Sequence, residues 1–430
     1  MLQSPSREDL PMQLRLPHPW YTDYTIRVAA FDDGLRQFQV QPSSSRAGPG
    51  HQQLHKDDLL WTEPELNTVE ETSQDTTKLW ARQEHIPTST FFWTESRPSI
   101  GQAWFATYAL ISLYPKTDSF QIRLQGDKAA EVGDELSRIG LLVKSHAATT
   151  PPDYFLFRGS FWQGAGSPFG SRPVWLAEPT SADWEFPPLP LQKAHLRDQG
   201  DDASFATTVR PPKPAPGAVV YSRHIPHLAA TLSLVALDAS NTQHHSLFSA
   251  WNRHGTPDHH YRYLQSVHRD PTALPLLAKL GDEFLAYFEV YWVKERVEDH
   301  IGVHFAAAPH DRGCSALFPD AADRAVAHAL WSAVVHYAFL DEPRTASAFG
   351  APRHVDAMVV GYEGEFPFSV TRRVDAGGAE EALAVCSREM FFQVCPFAAA
   401  GEVPEWRGER GGDGGVMELA RGGRELLAKL

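Results

Sequence analysis

Cysteine is scarce: 3 residues in 430, Cys314, Cys386 and Cys395, all in the second half. None forms a Cys-x-x-Cys pair, so a disulfide framework is excluded and a reducing compartment is expected. Positive charge is also short. Lys and Arg number 39 against 53 Asp and Glu, a net of -14, whereas neutralising a nucleic-acid backbone needs clustered cations. That argues against nucleic acid as a partner, but not against one phosphorylated co-substrate, which needs only a local patch. The 20 histidines invite a metal. Yet no His-Glu-x-x-His occurs, and His300-x-x-x-His304 has no third ligand nearby, so no metal is expected. The longest apolar run, 325–340, is broken by His328 and His336 and reads as an amphipathic helix, so no membrane span is expected. Met1 to Arg7 hold no basic stretch leading into an apolar core, and the expectation is that no secretory leader is present. No short repeat is visible. Gly164 to Gly170 imitates a dinucleotide loop, but Pro168 and the glycine spacing make it a turn.

What is present is the composition of a folded protein, 42% hydrophobic and 21% charged, in a chain long enough for two cores. A Pro-rich stretch, 186–216, breaks every periodic pattern and reads as a linker. It divides a mixed α/β unit, 1–185, from a second unit, 217–400, and a Gly-rich tail, 401–430. In the first unit strand patterns fall at 25–31, 36–40, 88–95, 119–124 and 153–157, with helices at 100–114 and 129–144. In the second, strands at 219–223 and 232–238 precede helices at 243–251 and 259–268. A hairpin, 274–280 and 283–292, turns on Gly281-Asp282. Then come a strand at 315–318, a helix at 322–340, a strand at 346–350, a helix near 354–362 and closing strands through 394.

The most telling words are Tyr287-Phe288-Glu289-Val290-Tyr291-Trp292, Asp311-Arg312-Gly313 and His336-Tyr337-Ala338-Phe339-Leu340-Asp341-Glu342-Pro343-Arg344-Thr345. Tyr221-Ser222-Arg223-His224-Ile225-Pro226 precedes them and Ser387-Arg388-Glu389-Met390-Phe391-Phe392 follows. With these words the chain resembles the siderophore hydroxamate acyltransferases, above all the fungal N5-hydroxyornithine transacylases. It is also similar to the bacterial N6-hydroxylysine acetyltransferases. The resemblance covers 217–397 well and the first half loosely. It implies an α/β fold: a GNAT acyltransferase domain in the C-terminal half, preceded by a second mixed α/β, GNAT-like module that has lost its cofactor site. It also implies one reaction, the transfer of an acyl group from acyl-CoA to the hydroxylated nitrogen of N5-hydroxyornithine, in a homodimer, by direct transfer in a ternary complex.

In such folds the thioester carbonyl meets a backbone N–H on the strand before the long helix, and the diphosphate lies on that helix's N-terminus. Here the resemblance puts these contacts at Ser315 and Leu317, and at Ala321, Ala322 and Arg324. A helix start is a natural anion site, and Arg324 would pair with a phosphate. Asp311 inherits an acid/base or orienting role from the Asp-Arg-Gly word. Relatives commonly read Asp-Pro-His, with that His as base; this chain has Asp270-Pro271-Thr272, and His268 is the substitute. A hydroxylamine nitrogen is already neutral near pH 7, and base assistance is worth about 10²–10⁴-fold, while positioning can give more.

His260, Trp251, Tyr287, Glu289 and Trp292 are the expected substrate-binding residues. A carboxylate such as Glu289 among aromatics is costly unless used. Core packing is the alternative for Trp251, Tyr287 and Trp292, and a turn-capping pair the alternative for Asp311-Arg312. The family usually carries a His where Ser315 stands. It carries a basic, Gly-containing loop where this chain has Phe318-Pro319-Asp320-Ala321-Ala322-Asp323, and a Glu where Ala351 precedes Pro352. These departures favour one rival, a non-catalytic paralogue paired with an active relative; a second rival is an acetyltransferase acting on N6-hydroxylysine. The chain ends in Ala428-Lys429-Leu430, similar to the Ser-Lys-Leu address read by the peroxisomal import receptor. A peroxisome is the expected compartment, with the cytoplasm as alternative, and a branched C5–C6 unit such as anhydromevalonyl the expected acyl group.

Overall fold

The computed structural model describes residues 10–32, 34–43, 54–66, 86–145, 152–170, 172–177, 193–197, 204–208, 210, 213–252, 255–295, 307–319, 324–350, 368–376 and 379–397. Two eight-stranded sheets are built to one plan. The first holds β1 (Met12–Arg15), β2 (Asp23–Asp32), β3 (Leu35–Pro42), β4 (Leu60–Thr62), β5 (Thr88–Phe92), β6 (Ser119–Gln125), β7 (Val143–Lys144) and β8 (Tyr154–Phe157). Its spatial order is β1-β2-β3-β4-β5-β6-β8-β7, and only the β5–β6 pair is parallel. The crossover between those two is α1 (Ile100–Leu113), and α2 (Ala129–Arg138) and α3 (Arg158–Trp162) follow.

The second sheet holds β11 (Val219–Ile225), β12 (Ala230–Ala236), β13 (Ala273–Leu280), β14 (Glu283–Trp292), β15 (Arg312–Leu317), β16 (Ser347–Gly350), β17 (Ser369–Ala376) and β18 (Ala379–Ser387). Its order, β11-β12-β13-β14-β15-β16-β18-β17, repeats the first, and again only one pair, β15–β16, is parallel. The helix α6 (Arg324–Asp341) makes that crossover. One insertion distinguishes the halves: α4 (Thr242–Trp251) and α5 (Pro257–Arg269) stand between β12 and β13, where the first sheet has the tight β2–β3 turn. The second half therefore carries extra cover on one face of its sheet, and that cover builds the site.

Local chemistry accounts for the elements. Ser99 caps α1 in a capping box with Gln102, and Thr256 caps α5 with Pro257 at its first position. The β13–β14 loop is Gly281-Asp282, closed by Leu280 opposite Glu283, with Gly281 at φ +60° as a two-residue hairpin of this kind requires. The α6 helix is buried nearly all round because it packs on its own sheet, under the C-terminal segment and against the first half: the His336 ring lies 6.0 Å from Phe391 and 4.8 Å from Phe397 of that segment, and 6.2 Å from Trp162 of the first half.

Polar links join the halves. Buried His336 donates Nε2–H to the Trp162 carbonyl at 2.8 Å, which leaves Nδ1 to accept from the Tyr221 hydroxyl at 2.9 Å. Burial holds its pKa far below that of a free imidazole. Arg223, also buried, donates to Tyr221 and Ser332 and lies 4.4 Å from the Phe397 ring. Arg158 donates to the Val394 carbonyl across the α3–α7 contact, α7 being Arg388–Val394.

Several expectations need correction. The helix expected over 129–144 stops at Arg138; Gly140 takes φ +76°, and Val143–Lys144 form an edge strand. The closing strands end at Ser387, whose hydroxyl caps α7. The linker contains a two-stranded ribbon, β9 (Lys193–Arg197) with β10 (Ser204–Thr208). The helix near 354–362 and the 401–430 tail lie outside the described residues.

Candidate active site

The site begins with a gap in the second sheet. β15 pairs with β14 over its whole length, from Arg312 opposite Trp292 to Leu317 opposite Tyr287. With β16 it makes only two pairs, Arg312 with Ala348 and Gly313 with Phe349. Beyond Gly313 the described part of β15 has no described strand on that side. The Val293 N–H donates to the Asp311 carbonyl, which sets the phase of the pairing: Ser315 and Leu317, the expected backbone contacts, face β14, and the backbone groups of Cys314 and Ala316 point to the other side. Ser315 is exposed there, and Leu317 half-buried.

Alternation along β14 decides which side chains meet that opening. Phe288 points to α6, with its ring 5.5 Å from Trp331. Tyr287, Glu289 and Tyr291 point the other way, under α4 and α5. Directly opposite residues of an antiparallel pair share a face, so Leu317, Ser315 and Gly313 line up beside Tyr287, Glu289 and Tyr291. The Tyr291 ring lies so close across Gly313 that a Cβ there would stand 2.2 Å from it, which explains the glycine of the Asp-Arg-Gly word.

Glu289 is 1% exposed. Its Oε2 accepts from the Tyr287 hydroxyl at 2.7 Å and from Tyr263, on α5, at 2.5 Å. A buried carboxylate is tolerable when charge-assisted donors replace its hydration. Phe248 of α4 holds these groups together, its ring 4.8 Å from Tyr287, 5.7 Å from Tyr263 in a stacked arrangement and 5.6 Å from His260. His260 is 2% exposed, with Nδ1 3.1 Å from the Ser249 hydroxyl. Trp251 and Leu317 pack against the same cluster. Nearby, the Asp238 backbone N–H donates to His244 Nδ1 at 3.0 Å, and burial keeps His244 below the ordinary imidazole pKa.

Of the residues expected from the sequence, His260, Trp251, Tyr287, Glu289, Ser315 and Leu317 thus share one face. Trp292 does not. Alternation turns it to the α6 side, where it is stacked between two guanidiniums, Arg312 at 3.5 Å and Arg210 at 3.9 Å, the latter paired with Glu295. Asp311 is 5% exposed, and its carboxylate accepts the backbone N–H of Ala308 at 2.8 Å and of Ser347 at 3.0 Å. That geometry ties the loop before β15 to the start of β16. His268 sits in the last turn of α5, with its carbonyl accepting from Lys213 and its ring in the electrostatic neighbourhood of Asp238. The Thr272 hydroxyl donates to Asp270 at 2.7 Å. Ala321, Ala322 and the Arg324 side chain lie outside the described residues.

Sequence reasoning missed Tyr263. The signal was its place three residues after His260, on one face of an amphipathic helix. No group of three or more His, Cys, Asp or Glu that could hold a metal is found among the described residues.

Residues 242–376 match a family model described as an acetyltransferase (GNAT) domain. The chain is 36% identical to the N(5)-hydroxyornithine:cis-anhydromevalonyl coenzyme A-N(5)-transacylase of Beauveria bassiana, over 90% of this chain and 93% of that protein. It is 35% identical to a hydroxyornithine transacylase of Ajellomyces capsulatus, over 92% and 96%. A putative O-acetyltransferase of Stachybotrys chartarum is 34% identical, over 89% and 92%.

Proposed function

The chain belongs to the N5-hydroxyornithine transacylase family of GNAT acyltransferases, and from that premise we propose that it moves an acyl group from coenzyme A to the hydroxylated side-chain nitrogen of N5-hydroxyornithine. The product is the hydroxamate of a siderophore. The observation that carries this reading is likeness along both halves to proteins named for that transfer. The open edge of β15 supports it. The backbone N–H of Ala316, which points away from β14, can polarise a thioester carbonyl laid along the strand, as a strand would add to the sheet. The acceptor then comes from the α4–α5 side, where the aromatic cluster would hold its carbon chain with the hydroxylated nitrogen toward Glu289. The diphosphate end of acyl-CoA would lie on Ala321, Ala322 and Arg324.

Transfer is direct. The hydroxylamine nitrogen, neutral near pH 7, attacks the carbonyl carbon held beside it, and the thiolate leaves, with no acyl-enzyme. The acyl group we favour is a branched C5–C6 unit such as anhydromevalonyl. Further parts of the proposal are import into peroxisomes through Ala428-Lys429-Leu430 and assembly as a homodimer. A fluorescent fusion with an intact C-terminus and light scattering of the purified protein test these two.

The central test supplies purified protein with N5-hydroxyornithine and acyl-CoA. Thiol release matched by hydroxamate, read from the colour of its ferric complex, is expected. Thiol release without hydroxamate would move the transfer to an oxygen, the chemistry in the name of the Stachybotrys relative. An absence of acyl-CoA binding at millimolar concentration would leave a non-catalytic partner of an active relative. Faster turnover of N6-hydroxylysine would change the acceptor.

A further inference from the structure

We propose that Tyr263 and Glu289 form the proton relay of this transfer: the tyrosine hydroxyl meets the attacking nitrogen, and the carboxylate behind it takes the proton. The inference rests on the reading above, hydroxylamine acylation at the open edge of β15. Glu289 stands directly opposite Ser315, the exposed residue of that edge, and Cβ atoms so paired lie roughly 5 Å apart. Tyr263 is 39% exposed, yet its hydroxyl donates to the buried Glu289 at 2.5 Å. It thus joins the solvent side of α5 to a carboxylate inside the sheet. Tyr287 donates to the same oxygen and fixes its orientation. Asp311, expected as an acid, base or orienting group, has both oxygens accepting backbone N–H groups, and Thr272, where relatives carry a His, donates its hydroxyl to Asp270.

The step balances without any further reactant. As the nitrogen lone pair forms the C–N bond, the N–H proton passes to the Tyr263 oxygen while the Tyr263 proton passes to Glu289. Collapse of the tetrahedral adduct breaks the C–S bond, and the proton held by Glu289 returns through Tyr263 to the departing thiolate. The products are hydroxamate and free thiol, with the relay restored. Titratable and charged groups on the elements packed against Glu289 are Asp258, His259, His260, Tyr261, Arg262, Tyr263, His268 and Arg269 on α5, His244 and His245 on α4, and Glu283, Tyr287 and Tyr291 on β14. On the adjoining strands, β13 sets Pro275 and β15 sets Ser315 beside it.

The test compares Glu289→Gln, Tyr263→Phe and the double variant in the hydroxamate assay, per folded molecule and across pH. The relay predicts a fall in kcat of about 10²-fold in each single variant. It also predicts KM values near wild type, a double variant no slower than the worse single, and loss of the acid-side decline of kcat in Glu289→Gln. Wild-type kcat with an unchanged pH profile in Glu289→Gln would overturn the relay. So would a loss confined to KM for the amine, which would make Glu289 a binding anchor. If Glu289→Gln fails to fold, Tyr263→Phe decides alone, because its ring stacking on Phe248 is retained. Turnover by wild type with unchanged variants overturns only the relay, whereas a wild type without turnover overturns the proposed function too.

Discussion

Asp311 shows how a residue chosen for chemistry can be engaged by the backbone. Its two oxygens hold the N–H groups of Ala308 and Ser347, joining the loop before β15 to the strand from which β15 then departs. A hydrogen bond to a charged acceptor contributes about 1.5–3 kcal/mol. In Asp311→Asn one oxygen becomes an amide that faces a backbone N–H donor with another donor. The expected result is a loss of about 2 kcal/mol in urea unfolding, with kcat per folded molecule kept within a few-fold of wild type. An acid/base role would instead cost about 10²–10⁴-fold in kcat at little change in stability, so the two measurements together decide between the roles. Trp292 is a parallel case. Stacked between Arg210 and Arg312, it anchors the segment that leads into β11, and its ring is engaged on the face away from Glu289.

Among the elements, β14 and β15 carry the site, and their side chains follow from period two alone. At Gly313 the Tyr291 ring of β14 lies across the β15 backbone on the site face. A methyl there would stand 2.2 Å from the Tyr291 ring. In Gly313→Ala that buried ring must leave its place, and overpacking of this kind costs about 1–3 kcal/mol. Because Ser315 is two residues along the same strand, acyl transfer should fall further than the lost stability explains. Thermal unfolding and kcat/KM, measured on one preparation, check this.

The same strands show what the sequence discloses. The hairpin on Gly281-Asp282 was legible because a Gly-Asp pair separates two apolar runs. The face of Glu289 was legible because alternation is a local property. The start of β15 was expected at 315 but lies at Arg312, whose partner Trp292 is on another strand. The backbone bonds of Asp311 were not legible, because N–H groups at 308 and 347 leave no trace in residue type. Tyr263 escaped notice because its hydroxyl reaches a strand 26 residues away. Two of the words that carried the resemblance, Tyr221-Ser222-Arg223-His224 and the one beginning at His336, reach the other half of the molecule: His224 bonds the Gln13 carbonyl and His336 the Trp162 carbonyl.

At the scale of the whole molecule that junction is where pH should act. The edge strand β11 of the second sheet lies beside the edge strand β1 of the first, and His224 donates Nε2–H to the Gln13 carbonyl at 3.2 Å across the boundary. Its Nδ1 is buried without a partner, so protonation would place an unsatisfied cation between the sheets. Burial accordingly pushes its pKa down to about 4. In the unfolded chain the same imidazole titrates near 6.5. Between those values the unfolded state binds a proton that the folded state refuses, so this contribution to stability is full above pH 6.5 and is lost as pH falls toward 4. The slope is about 1.4 kcal/mol per pH unit, or roughly 3 kcal/mol across the window. Glutamine can keep the donor to Gln13 but does not titrate. His224→Gln should therefore flatten the dependence of unfolding free energy on pH between 6.5 and 4 by about one proton, leaving whatever slope buried His336 supplies. Urea titrations at half-unit pH intervals measure this. An identical slope in both proteins would mean that the boundary between the sheets opens to water before the imidazole is charged.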